Sequence, residues 1–438
     1  MQTRHLLLAG AALSCVVTQA HAESAAQVPQ DGTDATDATS ASRVFTPEDF
    51  ARFAPRNALD MAEQIPGFSI REGGGDRGLG QADTNVLVNG QRISGKSNGP
   101  VAALQRIPAD EVVRLEIVDG ASLDIGGLSG QVLNVITRST GGITGQFRYS
   151  AEWRSFGVPF RWGDGQVSIA GGGAKTEWTL SLENDAGRRG DEGIEQVFDG
   201  AGVLIDTRDE QNNQNTDNIA LSGSFARSAD NGNILNLTGE VQGFISRQTE
   251  TSDRSGTTSP VDRMRLFEST EDEYNFELGA DYSFGFADGQ LKLIAYHRYE
   301  DSPTLSSSTT TFADGSPPQG SVFIRDADEG ETILRSEYSF GGLGGDWQFA
   351  LEGVRNFLEI DSQLERRDAN GVLQPVNFDG ATSRVEEDRA EANLTYSRSL
   401  ARNFLLQASV GAEYSEINQS GALGQTRQFS RPKGFVAF

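Results

Sequence analysis

The chain has 438 residues, 62 acidic and 37 basic, with a formal charge of −25. So acidic a surface repels phosphate backbones and disfavours nucleic acid as a partner. The single cysteine and two of the three histidines lie in the first 22 residues, which leaves His297 alone in the remainder. That excludes a disulfide framework, a Cys/His zinc cluster and most hydrolase triads. Carboxylate chemistry stays open, but with 62 acidic residues no chosen pair is informative, and no catalytic residue, metal site or cofactor is nominated.

Residues 1–22 read as a secretory signal peptide. Arg4 and His5 precede the apolar run 6–17, and Ala20-His21-Ala22 supplies a small-x-small cleavage site. The run is too short to span a bilayer as a helix, which takes roughly 20 residues. Residues 23–44 are small, polar and acidic, with nothing to bury, and are expected to be disordered.

Order is expected from residue 45. Thr46-Pro47-Glu48-Asp49 starts a helix, with an N-cap hydroxyl, proline in the first turn and acids at the positive end of the dipole. Residues 56–64 form a second short helix, stopped by Pro66-Gly67. Short strands are expected at 67–70, 85–88, 112–118 and 131–137, a brief helix at 101–107, and a tight turn at Asn89-Gly90. Residues 45–140 therefore read as a compact α+β domain.

Two phosphate-binding patterns fall inside it. Gly90–Ser97, GQRISGKS, fits the P-loop, and an NTPase is the distant alternative it raises. A working P-loop must hand its Lys and Ser directly to a helix, and here Asn98-Gly99-Pro100 intervenes. Gly73–Gly78 fits G-x-G-x-x-G, but no helix follows and no acid stands about 20 residues on.

From 141 to 438 apolar and polar residues alternate. Phe147, Tyr149, Ala151 and Trp153 face one way, and Arg148, Ser150, Glu152 and Arg154 the other. The alternation recurs at 177–183, 274–284 and 404–414. Short turns are expected at Gly171–Lys175, Asp230–Asn233, Asp288-Gly289, Gly341–Gly345 and Ser399–Arg402. Long polar loops are expected near 186–214, 248–269, 302–327 and 359–385. Short turns on one side and long loops on the other mark an antiparallel transmembrane β-barrel, with strands of 10 to 16 residues. Trp153, Trp162, Trp178 and Trp347 are expected in lipid-facing girdles.

The ordered segments Ala58-Leu59-Asp60…Ile65-Pro66-Gly67-Phe68, Val86–Arg92, Ile107-Pro108, Glu111–Ile117 and Gly130…Val132–Thr137 resemble the plug domain of TonB-dependent outer-membrane receptors. The resemblance implies a plug held within a barrel in the outer membrane of a Gram-negative bacterium, with plug and N-terminus accessible from the periplasm. It also implies a TonB energy-coupling complex as partner, contact with outer-membrane lipid, and uptake of a scarce small or oligomeric extracellular ligand such as a siderophore, cobalamin or oligosaccharide. A non-transporting binding or signalling protein on the same fold is the alternative. No recognisable TonB box stands in 23–44, and its position is left open.

The plug's basic residues Arg71, Arg77, Arg92, Lys96, Arg106 and Arg114 are expected to meet wall acids such as Glu152, Glu177, Glu183 and Glu277. Asp76 and Arg77 are also candidates to touch ligand. Residues 141–438 hold about 10–12 strands, against the order of 22 that a plugged barrel needs. The sequence accordingly reads as the N-terminal part of a barrel, cut short at Phe438.

Overall fold

The computed structural model describes residues 41–71, 84–92, 99–120, 123, 130–138, 142–155, 157–257, 259, 261–401, 404–421 and 424–437. The signal peptide, most of the 23–44 segment with any TonB box, and the loop 73–78 lie outside them.

Five strands make the first sheet: β1 (Ala41–Phe45), β2 (Val86–Val88), β3 (Gln91–Arg92), β4 (Val112–Asp119) and β5 (Gln131–Thr137). Their spatial order is β1-β4-β5-β2-β3. β2 runs parallel to β5, and the other pairs are antiparallel. Strand structure thus begins at Ala41, inside the segment expected to be disordered. Val44 and Phe45 pair with Glu116 and Leu115, so the bare edge of β4 recruits a short run that has little to bury by itself.

The helical pieces are shorter than the sequence reading. Pro47–Phe53 is a 3₁₀ turn, and Asp49 accepts hydrogen bonds from the Thr46 amide and hydroxyl at its start. Helix α1 (Ala58–Ala62) is capped by Asn57, whose side chain accepts from the Asp60 amide at 2.9 Å. Helix α2 spans Pro100–Gln105. Residues 67–70 are not a strand.

Leu59, Met61, Leu104, Leu115, Ile117 and Leu133 interlock as the buried core of this domain. On β4 those apolar positions alternate with Arg114 and Glu116, so one face packs and the other stays polar. Truncating Leu115, which is fully buried, to alanine is expected to cost about 2–5 kcal/mol. The loss should appear as a lowered urea midpoint for this domain.

The second sheet is antiparallel. It contains β6 (Ile143–Glu152), β7 (Arg161–Gly173), β8 (Thr176–Phe198), β9 (Leu204–Ser228), β10 (Ile234–Gly256), β11 (Arg263–Phe286), β12 (Gly289–Asp301), β13 (Thr304–Phe312), β14 (Gln319–Gly342), β15 (Gly345–Arg367), β16 (Leu373–Pro375), β17 (Thr382–Ala401), β18 (Phe404–Gly421) and β19 (Gln425–Ala437). Of these 14, β13 and β16 lie off the main path. β12 and β13 are one line broken at Ser302-Pro303, because both pair with β11. The main path therefore matches the upper end of the expected strand count, and among the described residues β6 and β19 are its two edges.

The strands are longer than expected. β8, β9, β10, β11, β14 and β15 have 23 to 25 residues each. Most of what the sequence reading assigned to polar loops is paired strand, and the connections shrink to segments such as 199–203 and 313–318. Hydrophilic side chains give these stretches the look of loops, but a ladder in water is as well bonded as one in lipid. The short turns fall where expected, for example Leu343-Gly344, both at positive φ.

The faces of this sheet are reversed relative to a soluble sandwich. On β11, Asn275, Glu277 and Asp281 are buried while Tyr274, Leu278 and Tyr282 are exposed. Facing them, Leu237, Val241 and Ile245 of β10 are exposed as well. The outward apolar positions of β10 run from Leu235 to Ile245, and then give way to Arg247, Thr249, Thr251 and Asp253. That stretch is the length a tilted strand needs to cross the hydrocarbon, about 9–11 residues.

Aromatic rows border the band. Tyr282 stacks with Phe284 and Tyr338 with Phe340, while Trp347 packs on Tyr396 near the short turns. Tyr274, Phe276, Tyr299 and Phe357 form the opposite row. Eight residues separate Tyr274 from Tyr282, about 27 Å along the strand, which matches the ~25 Å girdle spacing of membrane barrels. Trp178 sits against Gly171 in the short-turn row, and Trp153 and Trp162 are exposed. No described helix is long and apolar enough to cross a membrane.

Candidate functional site

The first domain meets the inner, polar face of the wall near the short-turn ends of β6, β8, β9 and β10. At the end of α2, Arg106 is 7% exposed and donates from Nη1 to Ser222 Oγ on β9 at 3.1 Å. Burial pulls its pKa below the usual arginine value, and the charges of Glu240 and Glu183 oppose that pull. One residue earlier, the Gln105 carbonyl accepts from the Gln146 side-chain amide on β6. Beyond α2, Glu111 accepts from the Thr144 hydroxyl.

Asn89 makes the other attachment. It lies at φ +51° and Gly90 at φ +75° in the two-residue turn between β2 and β3, the geometry that Asn-Gly favours. Its amide nitrogen donates to Thr137 Oγ1 at 2.8 Å and reaches Glu177 Oε2 of the wall at 3.2 Å. Its oxygen accepts from the Thr137 amide at 3.0 Å. A cavity of ≈ 330 Å³ lies beside these contacts, lined among others by Asn89, Arg106, Glu111, Arg138, Glu177 and Trp178.

Among the described residues, two buried apolar clusters belong wholly to the first domain and a third, Tyr296, Ile333 and Val354, wholly to the wall. The attachments described here between the two domains are hydrogen bonds and charge. Such a contact can slide or part without exposing a greasy core.

Of the plug arginines expected to meet wall acids, Arg106 bonds Ser222 and stands near the charges of Glu240 and Glu183. Arg114 pairs with Glu116 two residues along its own strand, at 2.7 Å, and not with the wall. Residues i and i+2 share a strand face, so its partner was already at hand. Among the wall acids, Glu183 pairs with Arg148 at 3.2 Å, and Glu152 with Arg154 and Arg161. Glu277 accepts from the Tyr296 hydroxyl at 3.0 Å. The wall largely neutralises itself.

The Arg71 amide donates to Asn85 Oδ1 at 2.7 Å. Arg92 belongs to β3, opposite Leu87. Asp76, Arg77 and Lys96 lie outside the described residues. The P-loop reading fails at its first residue, because Gly90 is the second residue of a hairpin turn and Gln91-Arg92 fold back onto β2. His297 stands beside Phe276 and bonds Thr332 Oγ1 at 2.9 Å through Nδ1. Among the described residues no group of His, Cys, Asp and Glu could hold a metal ion.

Asn89, Gln105, Glu111, Gln146 and Ser222 were not singled out from sequence. Most are uncharged, and nothing in a lone amide or hydroxyl marks a contact between domains. Only Asn89 carried a local signal, its turn with Gly90.

A small mixed domain seated on the polar face of a membrane-type antiparallel wall is a plugged-barrel arrangement. Residues 34–130 match the family model of the TonB-dependent Receptor Plug Domain, which identifies this part of the chain as a plug domain of that kind. No curated protein matches it. Among solved structures, it is similar to the siderophore receptor PiuA from Acinetobacter baumannii at 11% identity and a TM-score of 0.36, over 90% of this chain and 60% of that one. It is similar to the copper transporter OprC at 15% identity and a TM-score of 0.38, over 90% and 59%. The chain spans about three fifths of the length of these two structures.

Proposed function

We propose that the protein is an outer-membrane receptor that takes up a scarce extracellular ligand with energy supplied through TonB. In this reading residues 1–22 direct export and are removed, and 23–44 reach into the periplasm toward the coupling complex. Residues 45–140 close the lumen of the wall that begins at 141. The observation that carries it is the seat of the plug, with hydrogen bonds at Arg106–Ser222 and Asn89–Glu177 and, among the described residues, each buried apolar cluster lying within one domain. A polar seat of this kind can part without exposing an apolar core, which supports a plug that moves. No bond in the ligand need be made or broken, so no residue is assigned to catalysis.

The test is uptake of labelled ferric siderophores, cobalamin and oligosaccharides by cells expressing the protein, with and without a working TonB complex. Accumulation of one ligand that disappears without TonB is the expected result. Equal accumulation in both strains would sink energy coupling, and surface binding without accumulation would favour a non-transporting or signalling role.

A further inference from the structure

We propose that the inner face of the wall, at the end away from the plug, carries an anion-binding site centred on Arg254. Arg208 of β9, Arg254 of β10 and Arg263 of β11 stand directly opposite one another in the strand ladder. Arg265 lies two residues from Arg263 on the same face. That face is the inner one, since Ser222, Glu240 and Glu277 are mutually paired in the same three strands and lie at even spacings from the arginines. The outward neighbours at this level, Thr249, Thr251 and Asp253, are polar, so the row lies beyond the apolar band in water.

Like charges directly opposite in an antiparallel pair destabilise it. Two such pairs in succession, in a chain of charge −25, run against composition as well. The neighbouring acids answer the row unevenly. Asp206 joins Arg208 at 3.1 Å to Arg263 at 2.9 Å, Glu195 pairs with Arg208 at 2.6 Å, and Glu250 with Arg265 at 2.6 Å. Arg254, between two arginines, donates from Nε to Ser252 Oγ at 2.8 Å and reaches Glu210 through Nη2 at 3.6 Å, and the Ser252 hydroxyl donates to that same carboxylate at 2.8 Å. Its side chain is 15% exposed, and those of Arg208 and Arg265 are 27% exposed.

Guanidinium forks bind carboxylate and phosphate oxygens two at a time. Adjacent strands place the forks about 4.8 Å apart. The row suits a small molecule bearing two or more carboxylate or phosphate groups, and the bound anion would relieve the repulsion built into the ladder. The site rests on the uptake reading for its biological role, though not for its chemistry.

Inorganic pyrophosphate is the probe, titrated calorimetrically into the folded protein in detergent at low salt, with sucrose as the neutral control. Saturable pyrophosphate binding is expected, weakened tenfold or more by Arg254→Gln and severalfold by Arg254→Lys, which keeps the charge and loses the fork. Should Arg254→Gln not fold, Arg265→Gln carries the same expectation with a smaller loss. No pyrophosphate binding to the wild-type protein, or equal binding by wild type and the glutamine variants, would overturn the site. Ligand uptake lost with pyrophosphate binding intact counts against the uptake reading alone. Uptake intact without pyrophosphate binding counts against this site alone.

Discussion

Replacing Arg106 by alanine is expected to loosen the plug from the wall by about 1.5–3 kcal/mol, the worth of a hydrogen bond made by a charged group. The substitution removes the Nη1–Ser222 Oγ bond and takes away the plug's positive charge beside Glu240 and Glu183. The effect corresponds to roughly a 10- to 100-fold rise in the population of the open plug. Limited proteolysis of membrane-embedded protein should therefore cut the plug faster while the wall resists. Arg106→Lys should fall between, keeping charge but losing the directed donor. Equal protection of plug segments in wild type and Arg106→Ala would show that Arg106 is a bystander to seating.

A lysine in place of Leu278 is expected to block assembly of the wall in a membrane. Leu278 is 56% exposed, and it lies within the outward apolar band, between the rows marked by Tyr274 and Tyr282. A lysine near the midplane of such a band costs about 2–4 kcal/mol, whereas near the interface the cost falls to about 0–1. Thr270→Lys, on the same face but past Tyr274, is the matched control. Heat-modifiable migration after refolding into vesicles should be lost or sharply reduced for Leu278→Lys and retained for Thr270→Lys. If both variants refold alike, the exposed apolar face does not meet lipid.

The period-two alternation and the spacing of short turns were enough to read the wall's faces and the strand count. Both follow from geometry that repeats every second residue, and a slip of one would turn Glu277 and Asp281 out toward lipid. Strand ends were harder to read. Polar runs such as 204–217 and 248–256 look like loops because their outward faces meet water, yet their backbones remain paired. The plug's strands and turns were largely legible, with Asn89-Gly90 the clearest. Its attachments were not, since Gln105 acts through a carbonyl and Ser222 through a hydroxyl, groups any sequence supplies in abundance. Arg114 shows the converse error: its charge was visible, but its partner depended on which face of β4 it occupied.

On the proposed uptake reading, the strands that continue past the apolar band also set how a ligand would be met. On β10 the paired segment from Ser246 to Gly256 projects about 35 Å at 3.2–3.4 Å per residue, less its tilt. It is stitched to both neighbours for much of that length. The result is a stiff collar in place of a fringe of swinging loops. Residues on it are held at fixed separations before anything arrives, so capture spends little ordering entropy. Insertions at the narrow tips, such as 199–203, could change without disturbing the collar beneath them.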